Sequence, residues 1–416
     1  MSDRRSDVVV IGAGIVGLSS AWYLRKAGLE VTLLSRDKVG EGTSAGNAGM
    51  IVPSHVVPLA APGVISQGLR WLLNPRSPFH IKPRLDPELI RWLLTFRSFC
   101  TDRHVAYAAP ILAELSLRST GLFEDLQAEV GEFGWRGTGL LMVHRSAKYR
   151  DDDWKSADLA ETLGLRIRRL DEAATRAVEP GIRSDVLGSV LYEDDGRVDP
   201  DAFLHVVGAG LQTAGVRVEE GVEVTGLSAS AMSVRVTTRR ETHVADSVVI
   251  AAGSWSSALG RMVGSRLPVQ PAKGYSITIP GFEGMPTIPM ILSEDKVTVT
   301  PMPGRVRFAG TLALGDFDGS IDPRRFSPIQ AQALRYQPDI SRDAVAVSRG
   351  WSGFRPASPD GLPLIGRLAR SPRLVAATGH GMMGMTLGPV TGRLVADLVT
   401  GSEPIVNPAP FDPSRF

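Results

Sequence analysis

Asp7-Val8-Val9-Val10-Ile11-Gly12-Ala13-Gly14-Ile15-Val16-Gly17-Leu18-Ser19-Ser20-Ala21-Trp22-Tyr23-Leu24-Arg25-Lys26-Ala27-Gly28 is the stretch that decides the fold. Its β-branched opening has the length and composition of a short buried strand. After three glycines, Leu18 to Ala27 repeats apolar residues at helical spacing up to Gly28, a residue suited to ending a helix. Glu30 to Leu34 is a second β-rich run. Strand, glycine turn, helix and strand in this order make a βαβ unit, whose parallel strands are buried on both faces. Gly12-x-Gly14-x-x-Gly17 lets the backbone turn sharply and approach a pyrophosphate, which would sit on free N–H groups at the positive end of the helix, those of Ile15 and Val16 included. A lone glycine triplet is a weak signal, but one that follows a strand and opens a helix marks dinucleotide binding.

Beyond this unit, residues from about Leu69 to Leu126 read as helical, with Trp71, Leu72, Leu89, Trp92, Leu93 and Phe96 in helical spacing. Strand-like runs at Gly139 to Val143 and Gly188 to Tyr192 precede Val198-Asp199-Pro200, after which Asp201 to Ala214 reads as a helix stopped by Gly215. Val216 to Val218 and Val234 to Val236 lead to the apolar run Ser247 to Gly253. Tyr275 to Ile279, Lys296 to Thr300 and Val306 to Ala309 alternate like antiparallel strands. The tail repeats the opening grammar: a strand at Leu374 to Ala377, a glycine-rich turn and a helix from about Gly388 to Leu398. The expectation is an α/β chain, α+β overall. A discontinuous Rossmann-like nucleotide-binding domain (residues 1–60, 196–262 and 348–416) is interleaved with a domain of antiparallel sheet and helices (residues 61–195 and 263–347).

A chain of 416 residues exceeds what one core supports, and 43% hydrophobic with 22% charged residues excludes disorder. Lys plus Arg total 46 against 44 Asp plus Glu, so the net charge of +2 gives no field for a polyanion, and no nucleic-acid partner is expected. Cys100, the sole cysteine, fits a reducing compartment. The apolar run at Val8 breaks into glycines instead of continuing as a secretory segment, so the expected location is cytoplasmic. Gly42 to Leu69 is uncharged, but Pro53, Pro58 and Pro62 would break a spanning helix, and a buried loop is expected there. HExxH and paired CxxC patterns are absent, so no metal site is expected from spacing. The charge runs Asp151 to Asp153 and Arg166 to Arg169 read as solvated faces.

The acidic ribose ligand expected about twenty residues after the glycines is replaced by Ser35. Ser35-Arg36 suits the 2′-phosphate of NADP; alternatively Ser35 bonds the ribose of FAD while Arg36 lies along the adenine. Gly42-Thr43-Ser44-Ala45-Gly46-Asn47-Ala48-Gly49 offers hydroxyls and close backbone amides for a second phosphate and a ring system. At this point the sequence resembles the D-amino-acid dehydrogenase group of the D-amino-acid oxidase and glycine oxidase superfamily of FAD enzymes. The resemblance continues through Ala61-Pro62-Gly63, Lys273-Gly274-Tyr275-Ser276, Gly353-Phe354-Arg355-Pro356-Ala357-Ser358-Pro359-Asp360-Gly361 and Thr378-Gly379-His380-Gly381-Met382-Met383-Gly384-Met385-Thr386, and so covers essentially the whole chain.

The resemblance implies roles for these positions. Arg355 would hold a substrate carboxylate, which a guanidinium fork binds through two parallel bonds; its bland alternative is a structural ion pair. Tyr275 would line the pocket, or be a half-buried strand aromatic. His55, in the loop Met50 to Pro58, would approach the flavin face and touch substrate, or be a hydrogen-bonded structural histidine. Gly379 to Thr386 would wrap the isoalloxazine pyrimidine edge with backbone N–H groups and a helix N-terminus. His380 offers a site for a covalent flavin link that nothing in the pattern demands, so noncovalent FAD is expected. Val224 resembles the position whose backbone bonds the adenine, and Ala252-Gly253 a close approach near the phosphates; each also fits plain strand packing.

The implied activity is FAD-dependent oxidation of a D-amino acid or related small amine acid. Hydride would pass from the α-carbon to flavin N5, giving an imino acid that water converts to a 2-oxo acid and ammonia. Glycine, sarcosine or a hydroxy-D-proline would use the same anchor. An NADP-dependent reductase and a non-catalytic flavin-binding protein are the competing classes. The electron acceptor, oxygen or a quinone, stays open. Trp71 and Trp92 among Arg70, Arg76, Lys82, Arg84, Arg91, Arg97 and Arg103 fit peripheral contact with an anionic membrane, or equally a helical lid with a solvated basic face.

Overall fold

The computed structural model describes residues 4–66, 68, 79–81, 86–182, 185–315, 317–336 and 340–416, with 79–81 described as backbone only. The strand Arg4–Ile11 lies at the centre of an eight-stranded sheet, with Thr242–Ile250 on one side and Val31–Leu34 on the other, all parallel. Arg217–Glu219 extends it beyond Val31–Leu34, and Ser371–Thr378 pairs in parallel with the last residues of Thr242–Ile250. The first half of Thr242–Ile250 also carries the antiparallel ribbon Val224–Ala229 and Val234–Thr238. Val8, Val9, Val10, Leu33, Val248, Val249 and Ile250 are buried, as the unbroken apolar runs require of a parallel sheet covered on both faces. The helices Ile15–Lys26 and Gly384–Thr400 pack against each other on one of those faces.

The second sheet has nine strands. Gly350–Ala357, Gln270–Pro280, Arg305–Leu314, Val297–Met302 and Met290–Leu292 form an antiparallel run; Leu140–His144 pairs in parallel with Met290–Leu292, and Gly188–Tyr192 and Ile167–Asp171 extend the sheet in antiparallel order. Alternate residues of Gln270–Pro280 face opposite sides. Tyr275, Ile277 and Ile279 enter an apolar core with Phe308, Phe326 and Tyr336, while Ala272, Gly274 and Ser276 face the first sheet's loops.

The sequence reading of a mixed fold with a Rossmann-like half and an antiparallel half holds, with local corrections. Residues read as helical from Leu69 onward include Phe79–Ile81, which is a strand paired in parallel with Arg305–Leu314. Leu69, Arg70, Trp71, Leu72, Arg76, Lys82 and Arg84 lie outside the described residues. The remaining helical text forms Pro87–Phe99, capped by Asp86 with Pro87 at its first turn, and Asp102–Val130, capped by Thr101. Gly350–Ala357, assigned by sequence to the nucleotide part, pairs with Gln270–Pro280 in the second sheet. The last helix starts at Gly384, four residues earlier than its apolar spacing indicates. Its first turn is glycine- and methionine-rich and carries little periodic signal.

Candidate active site

At the first glycine turn, crowding dictates the residues. A β-carbon on Gly12 would stand 2.5 Å from the Ala251 carbonyl oxygen, and one on Gly17 only 1.7 Å from the Gly12 carbonyl oxygen. Gly12 also has φ +111°, outside the range that side chains tolerate. The N-cap Gly14 has no side chain to cap the helix Ile15–Lys26 and no acid sits in its first turn, so its positive end is left for an anion. Ser44 Oγ accepts from Ile15 N at 3.1 Å, which brings the loop Thr43 to Gly49 against the same turn.

That loop is tied from the second sheet. The buried Arg307 donates to the Ala45 and Asn47 carbonyl oxygens at 2.7 and 2.8 Å and pairs with Asp201 at 3.0 Å. Ser276 Oγ donates to the Gly46 carbonyl oxygen, Phe354 N donates to Thr43 Oγ1, and Asn47 Oδ1 accepts from Gly49 N. Beyond Ala48 and Gly49, Met50 opens the short strand Met50–Ile51, and Val52 N donates to Thr386 Oγ1 of the last helix.

At the adenosine end, Ser35 is buried, its N–H donating to Glu219 and its carbonyl accepting from Val222 N at 2.8 Å. Val224 follows at the start of its strand. Arg36 stacks over Trp255, 4.5 Å from the ring centre, and pairs with Asp37 at 2.9 Å. A neighbouring carboxylate disfavours the 2′-phosphate of NADP at this spot. Ala252 and Gly253 follow the strand Thr242–Ile250 after Ala251, and Thr378 Oγ1 donates to the Gly253 carbonyl oxygen.

A cavity is walled by His55, Val57, Pro58, Leu59, Leu112, Ala272, Leu312, Arg355, Ala357, Ser358, Gly361 and the turn His380 to Met383. Arg355 enters from Gly350–Ala357 and lies flat over Gly274, where a β-carbon would stand 2.2 Å from its Nη1. Its Nη1 donates to the Thr311 carbonyl oxygen at 2.8 Å. Thr311, at φ +65°, sits in a bulge of Arg305–Leu314. No carboxylate among the described residues pairs with Arg355, and burial pulls its pKa down to about 10. A half-buried cation with no carboxylate partner among the described residues, lining an apolar pocket, is a receptor for a carboxylate.

His55 is held neutral, its pKa pushed down to about 4 by burial and then by the Lys296 cation. Burial likewise pushes His380 down to about 3, and its Nε2 lies 2.9 Å from Thr391 Oγ1. Gly379 and Gly381 take left-handed conformations, and the helix Gly384–Thr400 begins beside the cavity with no side-chain cap, Met385 and Thr386 in its first turn. Ser358 Oγ is buried at the cavity edge without a partner among the described residues. Uncapped helix ends, glycine cradles and an orphaned hydroxyl are the features an extended phosphate-linked ring cofactor would use.

Tyr275 does not join these residues. It is on the opposite face of its strand from Gly274, buried in the core of the second sheet, with Asp322 and Arg325 near its hydroxyl. Arg307, Asp195 and Ser358 escaped the sequence reading as site residues. Asp195 is fully buried, accepts from Ser54 N and Oγ next to His55, and burial raises its pKa to about 8. An arginine inside an otherwise apolar strand was a signal for Arg307; Asp195 was hidden in the acidic run from Glu193.

Residues 7–398 match the family described as DAO, FAD dependent oxidoreductase. The chain belongs to this family. Among its relatives are D-amino acid dehydrogenases of Cereibacter sphaeroides, 34% identical over 98% of this chain and 95% of the relative, and of Vibrio vulnificus, 35% identical over 98% and 99%. Glycine oxidase from Geobacillus kaustophilus has a similar fold, with TM-score 0.80, 24% identity and 99% coverage of each chain. L-proline dehydrogenase from P. horikoshii superposes with TM-score 0.75 at 19% identity, covering 100% of this chain and 98% of that one. As a DAO-family member the chain is an FAD-dependent oxidoreductase, which decides between the two cofactors that Ser35-Arg36 left open.

Proposed function

We propose that the protein oxidises a D-amino acid, or a related small amine acid, to an imino acid that hydrolyses to a 2-oxo acid and ammonia. The observation that carries this reading is Arg355, a half-buried guanidinium lining an apolar cavity, unpaired with any carboxylate among the described residues and adjoining the Gly379 to Thr386 turn. Arg355 grips the substrate carboxylate through its fork, and Thr311 fixes that fork from behind. Leu59, Leu112, Leu312 and Ala272 exclude water from the side chain and strengthen the ionic contact. His55, neutral at the wall, accepts an N–H of the amine. FAD, when bound, supplies the two-electron acceptor for the α-hydrogen, and orientation by Arg355 does most of the remaining work.

Gly12, Gly14, Gly17 and the Ile15 and Val16 amides would hold the pyrophosphate; Ser35, Arg36 and Val224 the adenosine; Thr43 to Met50 and Gly379 to Thr386 the flavin. The cofactor is held noncovalently, a reading supported by the engagement of His380 Nε2 with Thr391. Residues 1–60, 196–262 and 358–416 would carry it, the last boundary moved past Gly350–Ala357.

Electrons leave to a non-oxygen acceptor such as a quinone, in keeping with the relatives named as dehydrogenases. No described helix is long and apolar enough to cross a membrane. Peripheral contact with an anionic bilayer is supported by Ile90 and Leu94, one helical turn apart and 49% and 62% exposed, beside Arg91 and Arg97. Purified holoprotein should reduce a quinone dye with D-amino acids and release equimolar 2-oxo acid. Turnover of L-amino acids alone would overturn the stereochemical part of the proposal.

A further inference from the structure

Glu219, Glu241 and His243 come together at the start of the cofactor sheet, although no spacing in the sequence announces them. Glu219 ends its edge strand, Glu241 precedes Thr242–Ile250, and His243 pairs in register with Arg4. His243 is 1% exposed, and neither ring nitrogen has a hydrogen-bond partner. Its Nε2 faces Glu219 Oε2 at 3.8 Å and Glu241 Oε1 at 3.9 Å, too far for hydrogen bonds. The other oxygen of each carboxylate is taken by Arg4, Glu219 Oε1 at 3.1 Å from Nη1 and Glu241 Oε2 at 2.9 Å from Nε.

We propose that the gap between His243 Nε2, Glu219 Oε2 and Glu241 Oε1 is a site for a divalent cation, zinc by preference. The three ligand atoms lie within 4.8 Å of one another. Tetrahedral zinc with bonds of about 2.0–2.2 Å needs them roughly 3.3–3.6 Å apart, so the shell is completed when the histidine–carboxylate gaps close by a few tenths of an ångström and the two carboxylates rotate together by at most about 1.5 Å. Imidazole with two carboxylates suits zinc, and a water fills the fourth position. Two carboxylates against one guanidinium leave a net negative charge for the ion. Arg4, bonded to the outward oxygens, orients the inward ones.

The site is structural. None of its residues lines the cavity that holds Arg355, and the Glu219 carbonyl supports Ser35 N, so the ion would brace the adenosine end of the cofactor cleft. This inference is independent of the substrate reading.

The test is calorimetric titration of zinc chloride into tag-free holoprotein stripped with chelator, with thermal unfolding as a second readout. One zinc per chain and a zinc-dependent rise in Tm are expected, with affinity at least about tenfold weaker in His243→Gln and in Glu241→Gln. Absence of binding, or binding that both variants leave intact, would overturn the proposal. Should either variant fail to fold, the cobalt-loaded wild type decides: a visible ligand-field band of a four- or five-coordinate N/O site is expected, and a spectrum of hexaaquo cobalt alone sinks the site.

Discussion

Arg355 lies over Gly274, so closely that a single methyl at position 274 would stand 2.2 Å from Nη1 and 2.5 Å from the central guanidinium carbon. The two strands that carry these residues are paired neighbours, and the absent side chain on one makes room for the charged side chain of the other. Gly274→Ala should therefore push the fork off its Thr311 anchor. A rise in KM and a loss of roughly 10–100-fold in kcat/KM is expected, the size of a charged hydrogen bond to a bound anion, with the flavin content unchanged. Steady-state kinetics on the purified variant check this.

Gly17→Ala acts on the cofactor instead. Its β-carbon would overlap the Gly12 carbonyl oxygen at 1.7 Å, which no side-chain adjustment relieves. The variant should purify colourless or unstable, and the absorbance ratio of flavin to protein reports it.

Arg307→Met should loosen the loop Thr43 to Gly49. Two backbone carbonyls lose their donors, and Asp201 keeps only Arg305, at 2.9 Å. A stability loss of about 3 kcal/mol is expected, together with weaker FAD retention, measurable by urea unfolding and by dialysis against apo-forming salt.

Buried ionisable groups set a pH window. The Asp195 carboxyl keeps its proton up to about pH 8 when folded, whereas the ordinary value is 3.8. The unfolded chain binds fewer protons between these limits, so stability falls as pH rises through that range. His55 and His380 work from the other side: folded, they stay neutral to about 4 and 3, against an ordinary 6.5, so stability falls as pH drops below 6.5. Asp195→Asn should flatten the upper limb and leave the lower one, as read from urea midpoints at a series of pH values; an unchanged upper limb would assign it to another group.

What the sequence made legible was whatever steric demand writes into residue type. Gly12 and Gly17 are required by crowding, and the strands around them by unbroken apolar runs, so the cofactor half was readable from its first thirty residues. Tyr275 shows where this stops. In Lys273-Gly274-Tyr275-Ser276 the motif marks a strand beside the pocket but not which parity faces it, and the face is set by Arg355 on the neighbouring strand. Gly274, read only as part of the motif, is the residue that meets the guanidinium. The ties of Arg307 to Ala45 and Asn47, and of Asp195 to Ser54, join residues more than a hundred positions apart and exist only after folding. Phe79–Ile81 gave no strand signal because three residues between prolines carry too little periodicity.

The most direct measurement of the central claim is anaerobic stopped-flow bleaching of the bound flavin by a panel of D- and L-amino acids, in wild type and in Arg355→Leu. The account predicts rapid bleaching by D-amino acids in wild type and, in the variant, a substrate dissociation constant raised by at least about tenfold with slower reduction. Equal bleaching in both proteins, or bleaching by amines that lack a carboxylate as readily as by amino acids, would contradict it.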